Sequence, residues 1–301
     1  MQQVFADTLL GRSVQKALEL TIIIAARNAS STIAAQLDAL CGQLWDGEWN
    51  VVVVDNGSTD NTALIVADYA TKYPMFSLAS EPLATNAGAV RNFGVTLAQS
   101  TNIAMCDADD VVGPHWVAAM GEGLRNNVCV TGPLDVKELN PEWLSRTRGI
   151  PSLIAPMTFH DAFTMMPAGN FGMRRALFTE LGGFDETMRT HEDADLSFRC
   201  AIAGHSVAFD PVATVAYRYR GEPAVMFRQA RAYGRHRPLV ARKARSAGMA
   251  VPRLAGWRAW FLLVAWLPRL RSHEGRASYL WVLGARLGIL LGCVRARTLY
   301  L

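Results

Sequence analysis

Three carboxylates, Asp107, Asp109 and Asp110, fall within four positions directly after the apolar run 103–106. A run that short, entered from the polar Ser100-Thr101-Asn102 corner, predicts a buried strand. The carboxylates then crowd its C-terminal end, the edge where open α/β sheets hold ligands. Repelling carboxylates at a buried edge are costly unless a cation neutralises them. Oxygen-only donors suit a hard divalent ion, Mg²⁺ or Mn²⁺, carrying substrate phosphates. The plainer reading is a solvated acidic turn. A second acidic cluster, Glu192, Asp193 and Asp195, opens a predicted helix that reaches Ala203, with Gly204 as its cap. The dipole and free N–H groups at a helix start favour ionised carboxylates, so this cluster alone reads as helix stabilisation.

The elements that must position these groups alternate. Residues 21–25 read as a strand, followed by a helix capped by Ser30 or Ser31 with Ile33, Leu37, Leu40 and Leu44 on one face. Residues 51–54 form a second apolar strand that breaks at Asp55-Asn56-Gly57-Ser58, before a helix through Tyr69. Phe76–Ser80 is a third strand, and residues 87–98 are helical. This alternation predicts an α/β fold with a parallel sheet and helices on both faces. No Gly-x-Gly-x-x-Gly follows the first strand and no P-loop occurs, which argues against a dinucleotide dehydrogenase or an NTPase. Further on, a helix over 115–124, a strand over 128–131 and a helix ending at Leu181 are expected. The Pro-punctuated stretch 133–167 between them reads as a functional surface or lid.

The 301 residues suffice for one large domain plus an appendage. Charge is split unevenly. Residues 1–219 hold 14 Lys/Arg against 24 Asp/Glu, and residues 220–301 hold 16 against 2. An acidic globular part, 1–220, and a basic Trp/Leu-rich helical extension, 221–301, are therefore expected, the latter meeting something anionic. The apolar stretches 259–267 and 279–294 fall short of an uninterrupted spanning helix, and Arg286 interrupts the second. Trp and Leu beside basic residues favour peripheral attachment to an anionic membrane face over nucleic acid, packing on the protein being the other option. Five scattered cysteines without a C-x-x-C pair suggest thiols of a reducing compartment. Residues 1–20 carry charges and lack an apolar core, which argues against a secretory signal.

Six motifs in order carry a resemblance: Thr21-Ile-Ile-Ile-Ala-Ala-Arg-Asn28, Val53-Val-Asp-Asn-Gly-Ser-Thr-Asp-Asn-Thr62, Gly88-Ala-Val-Arg-Asn-Phe-Gly94, Asp107-Ala-Asp-Asp110, Gly182-Gly-Phe-Asp185 and His191-Glu-Asp-Ala-Asp-Leu196. Over roughly residues 20–220 the chain resembles a family 2 glycosyltransferase. The resemblance implies a GT-A fold, Rossmann-like with a mixed, mostly parallel sheet, and inverting sugar transfer from a nucleotide-sugar (UDP-, GDP- or dTDP-linked). By the resemblance, Ala25, Ala26, Arg27, Asn28, Asp55 and Asn56 hold base and ribose. Asp107, Ala108 and Asp109 match a D-x-D motif, with Asp107 near the ribose and Asp109 on the metal. Asp193 matches the general base. Arg91 is a candidate for phosphate contact, a solvated helix face being the commoner fate of an arginine. Gly169, Asn170, Phe184 and Glu192 are candidates for the acceptor side, with turn geometry and core packing as the alternatives for Gly169 and Phe184.

Two departures accompany the resemblance. Asn56 stands where many members carry a second Asp, and Tyr217 where many carry a metal-binding His. Chemically, a leaving diphosphate needs its developing charge neutralised, and an acceptor hydroxyl needs a base on the opposite face. No Ser-His-Asp or Cys-His constellation suggests a covalent route. The expected protein is cytoplasmic, peripheral on the inner membrane face, and transfers to a saccharide or lipid-linked hydroxyl. Transfer to a polyprenyl phosphate and a non-catalytic scaffold of the same fold are the alternatives.

Overall fold

The computed structural model describes residues 17–148, 151, 153–254 and 256–300. The reading of the N-terminus as free of a secretory signal falls almost entirely outside them. Leu20–Ala26 (β1), followed by helix Ile33–Cys41 (α1), and Trp49–Asp55 (β2) are apolar without alternation, as strands buried on both faces must be. They pair in parallel with Ala26 opposite Asp55, so both chains leave the sheet at one edge. Thr62–Lys72 (α2) leads to Phe76–Ser80 (β3) outside β2, and Ala87–Leu97 (α3) leads to Asn102–Cys106 (β4) on the other side of β1. The order β3-β2-β1-β4 switches direction between β1 and β4, the point at whose C-terminal edge open α/β sheets hold their ligands. In α3, Gly94 lets the helix approach β1 closely, because a Cβ there would stand 2.5 Å from Ile23 Cγ2.

The sheet is mixed where the alternation predicted a parallel one. Val111–Val112 (β5), Trp116–Asn126 (α4) and Cys129–Thr131 (β6) precede Leu134–Asp135 (β7) and the short helix Glu142–Arg146 (α5). Asn170–Arg174 (β8) then inserts antiparallel between β4 and β6. Helices Arg175–Glu180 (α6) and Glu192–Ile202 (α7) follow, with Ala208–Phe209 (β9) extending the sheet. Val215–Ala216 (β10) joins β5 and β7 in a separate three-stranded sheet. The stretch 133–167 is thus partly structured. One correction concerns α1: Leu44 lies beyond its end at Cys41 and is 84% exposed, and Thr32, without a side-chain capping bond, precedes the helix where Ser30 or Ser31 was expected. All five cysteines are free, and Cys129 and Cys200 bring their sulfurs within 3.6 Å, a juxtaposition spacing did not reveal.

The C-terminal region is helical: Pro223–Ser246 (α8), Arg258–Ala265 (α9), a short 3₁₀ turn at Leu267–Arg271 and His273–Arg295 (α10). Helices α8 and α10 run parallel at backbone contact. A Cβ on Gly284, Gly288 or Gly292 would lie 2.5, 2.2 or 2.4 Å from the carbonyl oxygens of Phe227, Arg231 and Arg235. Val240, Ala241, Ala244 and Ile289 share a buried cluster with Phe159, Phe163, Ala194 and Phe198 of the α/β body. Among the described residues α10 is the one helix long and apolar enough, by length and composition, to cross a membrane. Counting only uninterrupted apolar residues had excluded it, because Arg286 splits the run.

Candidate active site

At the first edge, β1 ends in Ala25 and Ala26 and passes into Arg27 and Asn28. Asn28 adopts the left-handed conformation at φ 51°, which asparagine tolerates better than most residues. Its Oδ1 accepts from Thr59 N at 2.9 Å and its N–H donates to Ser58 Oγ at 2.9 Å, tying the β1 and β2 exits together. Asp55 Oδ2 accepts from Ser58 N at 3.0 Å, while its buried Oδ1 has no hydrogen-bond partner among the described residues. An unpartnered buried carboxylate oxygen there is poised for a ligand donor. Asn56 is turned inward: its amide donates to the carbonyls of Glu81 and Ala84 at 2.8 and 3.0 Å and accepts from Arg27 Nη1 at 3.4 Å. Here the asparagine holds the loop after β3, a task an aspartate without N–H groups could not perform.

The carboxylates of Asp107, Asp109 and Asp110 offer oxygens all within 4.8 Å of one another. Asp110 Oδ1 accepts from Arg218 N at 2.8 Å, and its Oδ2 is buried without a hydrogen-bond partner among the described residues. Arg218 Nε also holds the Asp109 carbonyl at 2.9 Å, and the Ala108 carbonyl accepts from Thr32 Oγ1 at 3.2 Å. Burial, reinforced by Asp107, pushes Asp109 and Asp110 above the usual carboxylate range. Oxygen donors destabilised as anions, one of them orphaned, fit a divalent cation at Asp107, Asp109 and Asp110. Gly169 packs on this cluster, since a Cβ there would stand 2.8 Å from Asp107 Oδ2.

Arg91 departs from both sequence readings. It is buried, with its guanidinium bridging Asp107 Oδ1 at 2.5 Å and Glu192 Oε1 at 3.4 Å. Burial opposes its charge, yet the two carboxylates hold it more firmly protonated than a free arginine. Arg91 thus joins the two acidic clusters, which lie about eighty-five residues apart in the chain.

Helix α7 begins at Glu192 after His191, which takes the left-handed conformation at φ 63°. Asp193 Oδ1 accepts from Ala194 N at 2.7 Å and Oδ2 from Ala168 N at 3.2 Å. Burial raises the Asp193 pKa against these N–H bonds. Burial, then Asp193, raises Glu192 to about 7, with Arg91 opposing. Burial, then Arg237 and His236, pulls His191 down to about 3, so it is neutral and not a surface cation. A buried carboxylate with a raised pKa, near a cluster that could hold a cation, has the chemistry to accept a proton.

Asn170 and Phe184 do not present themselves to an acceptor. The Asn170 amide donates to the carbonyls of Pro133 and Ala213, both at 2.9 Å, and its Oδ1 accepts from Trp116 Nε1 at 2.8 Å. Phe184 is buried edge-on against Phe171 and Phe178. A Gly-Asn-Phe-Gly sequence on a strand gives no sign of which way its amide points.

Residues 21–182 match the family model described as glycosyl transferase family 2. The chain is a family 2 glycosyltransferase. This glycosyltransferase is 26% identical over 242 residues to the pre-mycofactocin glycosyltransferase of Mycobacterium tuberculosis, covering 78% of this chain and 47% of the relative. It thus spans about half the length of that curated relative. Among solved structures it resembles the mannosyltransferase PcManGT from Pyrobaculum calidifontis, in complex with GDP-Man and Mn²⁺, with TM-score 0.60, 18% identity and coverage of 96% of this chain and 93% of that one. It also resembles S. aureus TarS 1–349 in complex with UDP, with TM-score 0.56, 17% identity and coverage of 92% and 91%. The glycosyltransferase accordingly has the GT-A fold with a C-terminal helical extension. Sequence reasoning left the role of Asp110 open and missed Ala168 and Arg218, whose backbone N–H groups no side-chain motif announces.

At the site of this glycosyltransferase, Tyr217 sits half-buried at the position expected of a histidine, and its hydroxyl is hydrogen-bonded to Tyr233 of α8. Tyr233 and burial raise Tyr217 well above its ordinary value, so it stays a neutral phenol. Tyr233 in turn lies edge-on to His191 and accepts from Gln229 Nε2 at 3.1 Å. The C-terminal extension therefore contributes side chains to the rim between the two acidic clusters.

Proposed function

We propose that the enzyme transfers a sugar, with inversion, from a nucleoside-diphosphate donor to a hydroxyl of a saccharide or lipid-linked acceptor. The observation that carries this reading is the meeting of the Asp107–Asp110 cluster and Asp193 across Ala168 and Gly169. Asp55, with its free Oδ1, and residues 25–28 receive base and ribose. Asp109, with Asp107 and Asp110 beside it, would hold Mg²⁺ or Mn²⁺. When bound, that ion supplies Lewis-acid neutralisation of the leaving diphosphate. Asp193 accepts the hydroxyl proton as the acceptor oxygen bonds to the anomeric carbon and the bond from that carbon to the diphosphate oxygen breaks. Glu192 borders the acceptor and Arg91 fixes its distance from Asp107. The anionic face of a membrane, on its cytoplasmic side, is the partner that the basic, apolar C-terminal surface favours.

Transfer is measured with UDP-, GDP- and dTDP-sugars with and without Mn²⁺. Asp109→Ala abolishes transfer and metal-dependent nucleotide binding. Asp193→Asn keeps nucleotide binding and loses transfer by about a hundredfold or more, the scale of a general base. Full transfer by Asp193→Asn would remove the base assignment.

A further inference from the structure

Arg148 is a half-buried guanidinium that forms no ion pair with any described carboxylate. Its Cζ lies 4.3 Å from the ring centroid of Tyr219 and 3.9 Å from that of Trp281 on α10, a sandwich between two aromatic faces. One nitrogen, Nη2, donates to the Arg220 carbonyl at 3.2 Å. Another, Nε, is buried with no hydrogen-bond partner among the described residues. Burial, with the charge of Arg220 nearby, lowers its pKa. Withdrawing a guanidinium from water without a counter-charge is costly, and the planar fork left unsatisfied matches an oxyanion. The stacking rings hold the group in place and leave its Nε edge without a described partner.

The location gives that edge a use. Arg220, whose carbonyl Arg148 grips, also bears electrostatically on Asp109 and lowers its pKa. Arg148 and Arg220 therefore flank the metal-binding end of the site on the side where the C-terminal helices close over it. We propose that Arg148, with Arg220, is an anion subsite for a phosphate or pyrophosphate group of a substrate of this glycosyltransferase. That group has two sources: the donor diphosphate, or a phosphate carried by a lipid-linked acceptor. The subsite rests on the transfer reading above, deepens it by assigning a charged recognition element, and joins Trp281 of the extension to substrate binding.

Calorimetry of the full chain with inorganic pyrophosphate and no added metal isolates the subsite from the carboxylate cluster. Arg148→Gln weakens pyrophosphate binding about tenfold or more, the loss expected for a charge-assisted contact. Arg148→Lys, which keeps the charge but not the fork, weakens it several-fold and decides the matter if the glutamine variant fails to fold. UDP and GDP titrations with Mn²⁺, and a polyprenyl phosphate in detergent micelles, then separate the sources. Loss confined to UDP or GDP assigns the donor diphosphate, and loss confined to the polyprenyl phosphate assigns the acceptor. Folded variants that bind pyrophosphate, nucleotides and polyprenyl phosphate as the wild type does overturn the proposal and leave Arg148 a stacking clip. Failure of the wild type to bind any nucleotide with Mn²⁺ would instead sink the transfer reading, with the pyrophosphate arm still reporting on Arg148.

Discussion

Lys243 near the end of α8 donates to Asp195 Oδ1 at 2.6 Å, while Arg199 one turn along α7 takes Oδ2 at 2.8 Å. The Asp195 side chain is 1% exposed, and the residue stands two positions after Asp193. The extension thus braces the helix that presents Asp193. Asp195→Asn leaves two cations facing a neutral amide in a buried setting, which costs about 3 kcal/mol. Urea denaturation measures the loss, and an unchanged midpoint would show that the pairs contribute nothing net.

Gly169→Ala tests the packing behind the acidic cluster. The new methyl group would stand 2.8 Å from Asp107 Oδ2 and push that carboxylate aside. Metal-dependent UDP or GDP binding drops by about tenfold, equal to roughly 1.4 kcal/mol. Thermal unfolding shifts down as well, because moving Asp107 loosens its pair with buried Arg91. Calorimetry with Mn²⁺ present reads the first quantity and differential scanning the second.

Much of this site was legible in the sequence because it hangs on strand ends. Apolar runs without alternation name the parallel strands, and a parallel sheet carries Ala26, Asp55 and Asp107 to one edge whatever else happens. Asn170 was illegible for the opposite reason: its role depends on the pairing of β8 between β4 and β6, a long-range event with no local trace. Arg91 was misjudged because helical position alone cannot report that Asp107 and Glu192 approach it from two other elements. Leu44 fitted the helical period yet fell past the point where Gly42 ends α1, so periodicity overran the boundary.

Glu192 makes stability depend on pH in a stated direction. Its folded pKa of about 7 exceeds its ordinary value of 4.5. Between those values the native state binds more protons than the unfolded state, so stability falls as pH rises from about 4.5 through 7. Glu192→Gln removes this proton and flattens that part of the curve in metal-free protein. Chemical denaturation of both proteins at pH 5, 6, 7 and 8 checks it, and parallel curves would contradict the buried-carboxylate account.

The contact of α8 with α10 is sensitive to a single side chain. Gly288→Leu requires a Cβ 2.2 Å from the Arg231 carbonyl oxygen, so the helices must separate. Overpacking of this kind costs about 1–3 kcal/mol. The expected outcome is a lower melting temperature together with weaker nucleotide binding, because Trp281 moves with the helix. A variant that melts like the wild type would show that the pair separates freely.

Helix α9 exposes Phe261 and Val264 at 66% and 69%, between Trp257 and Trp266, which carry Arg258 and Arg269 over their rings. Burying two such side chains in lipid is worth several kcal/mol at most. The double substitution Phe261→Glu with Val264→Glu reduces sedimentation with vesicles containing phosphatidylglycerol by at least about tenfold. Donor hydrolysis in solution stays unchanged. Equal sedimentation of both proteins would move the membrane contact elsewhere.

Ala168 donates its N–H to Asp193, and the next residue, Gly169, lies against Asp107. Neighbouring Cα atoms across a trans peptide are about 3.8 Å apart, a distance no side chain can stretch. One peptide of the chain therefore touches both carboxylates, so a shift at one is passed to the other. A substitution at either residue of this peptide is accordingly felt at both acidic clusters.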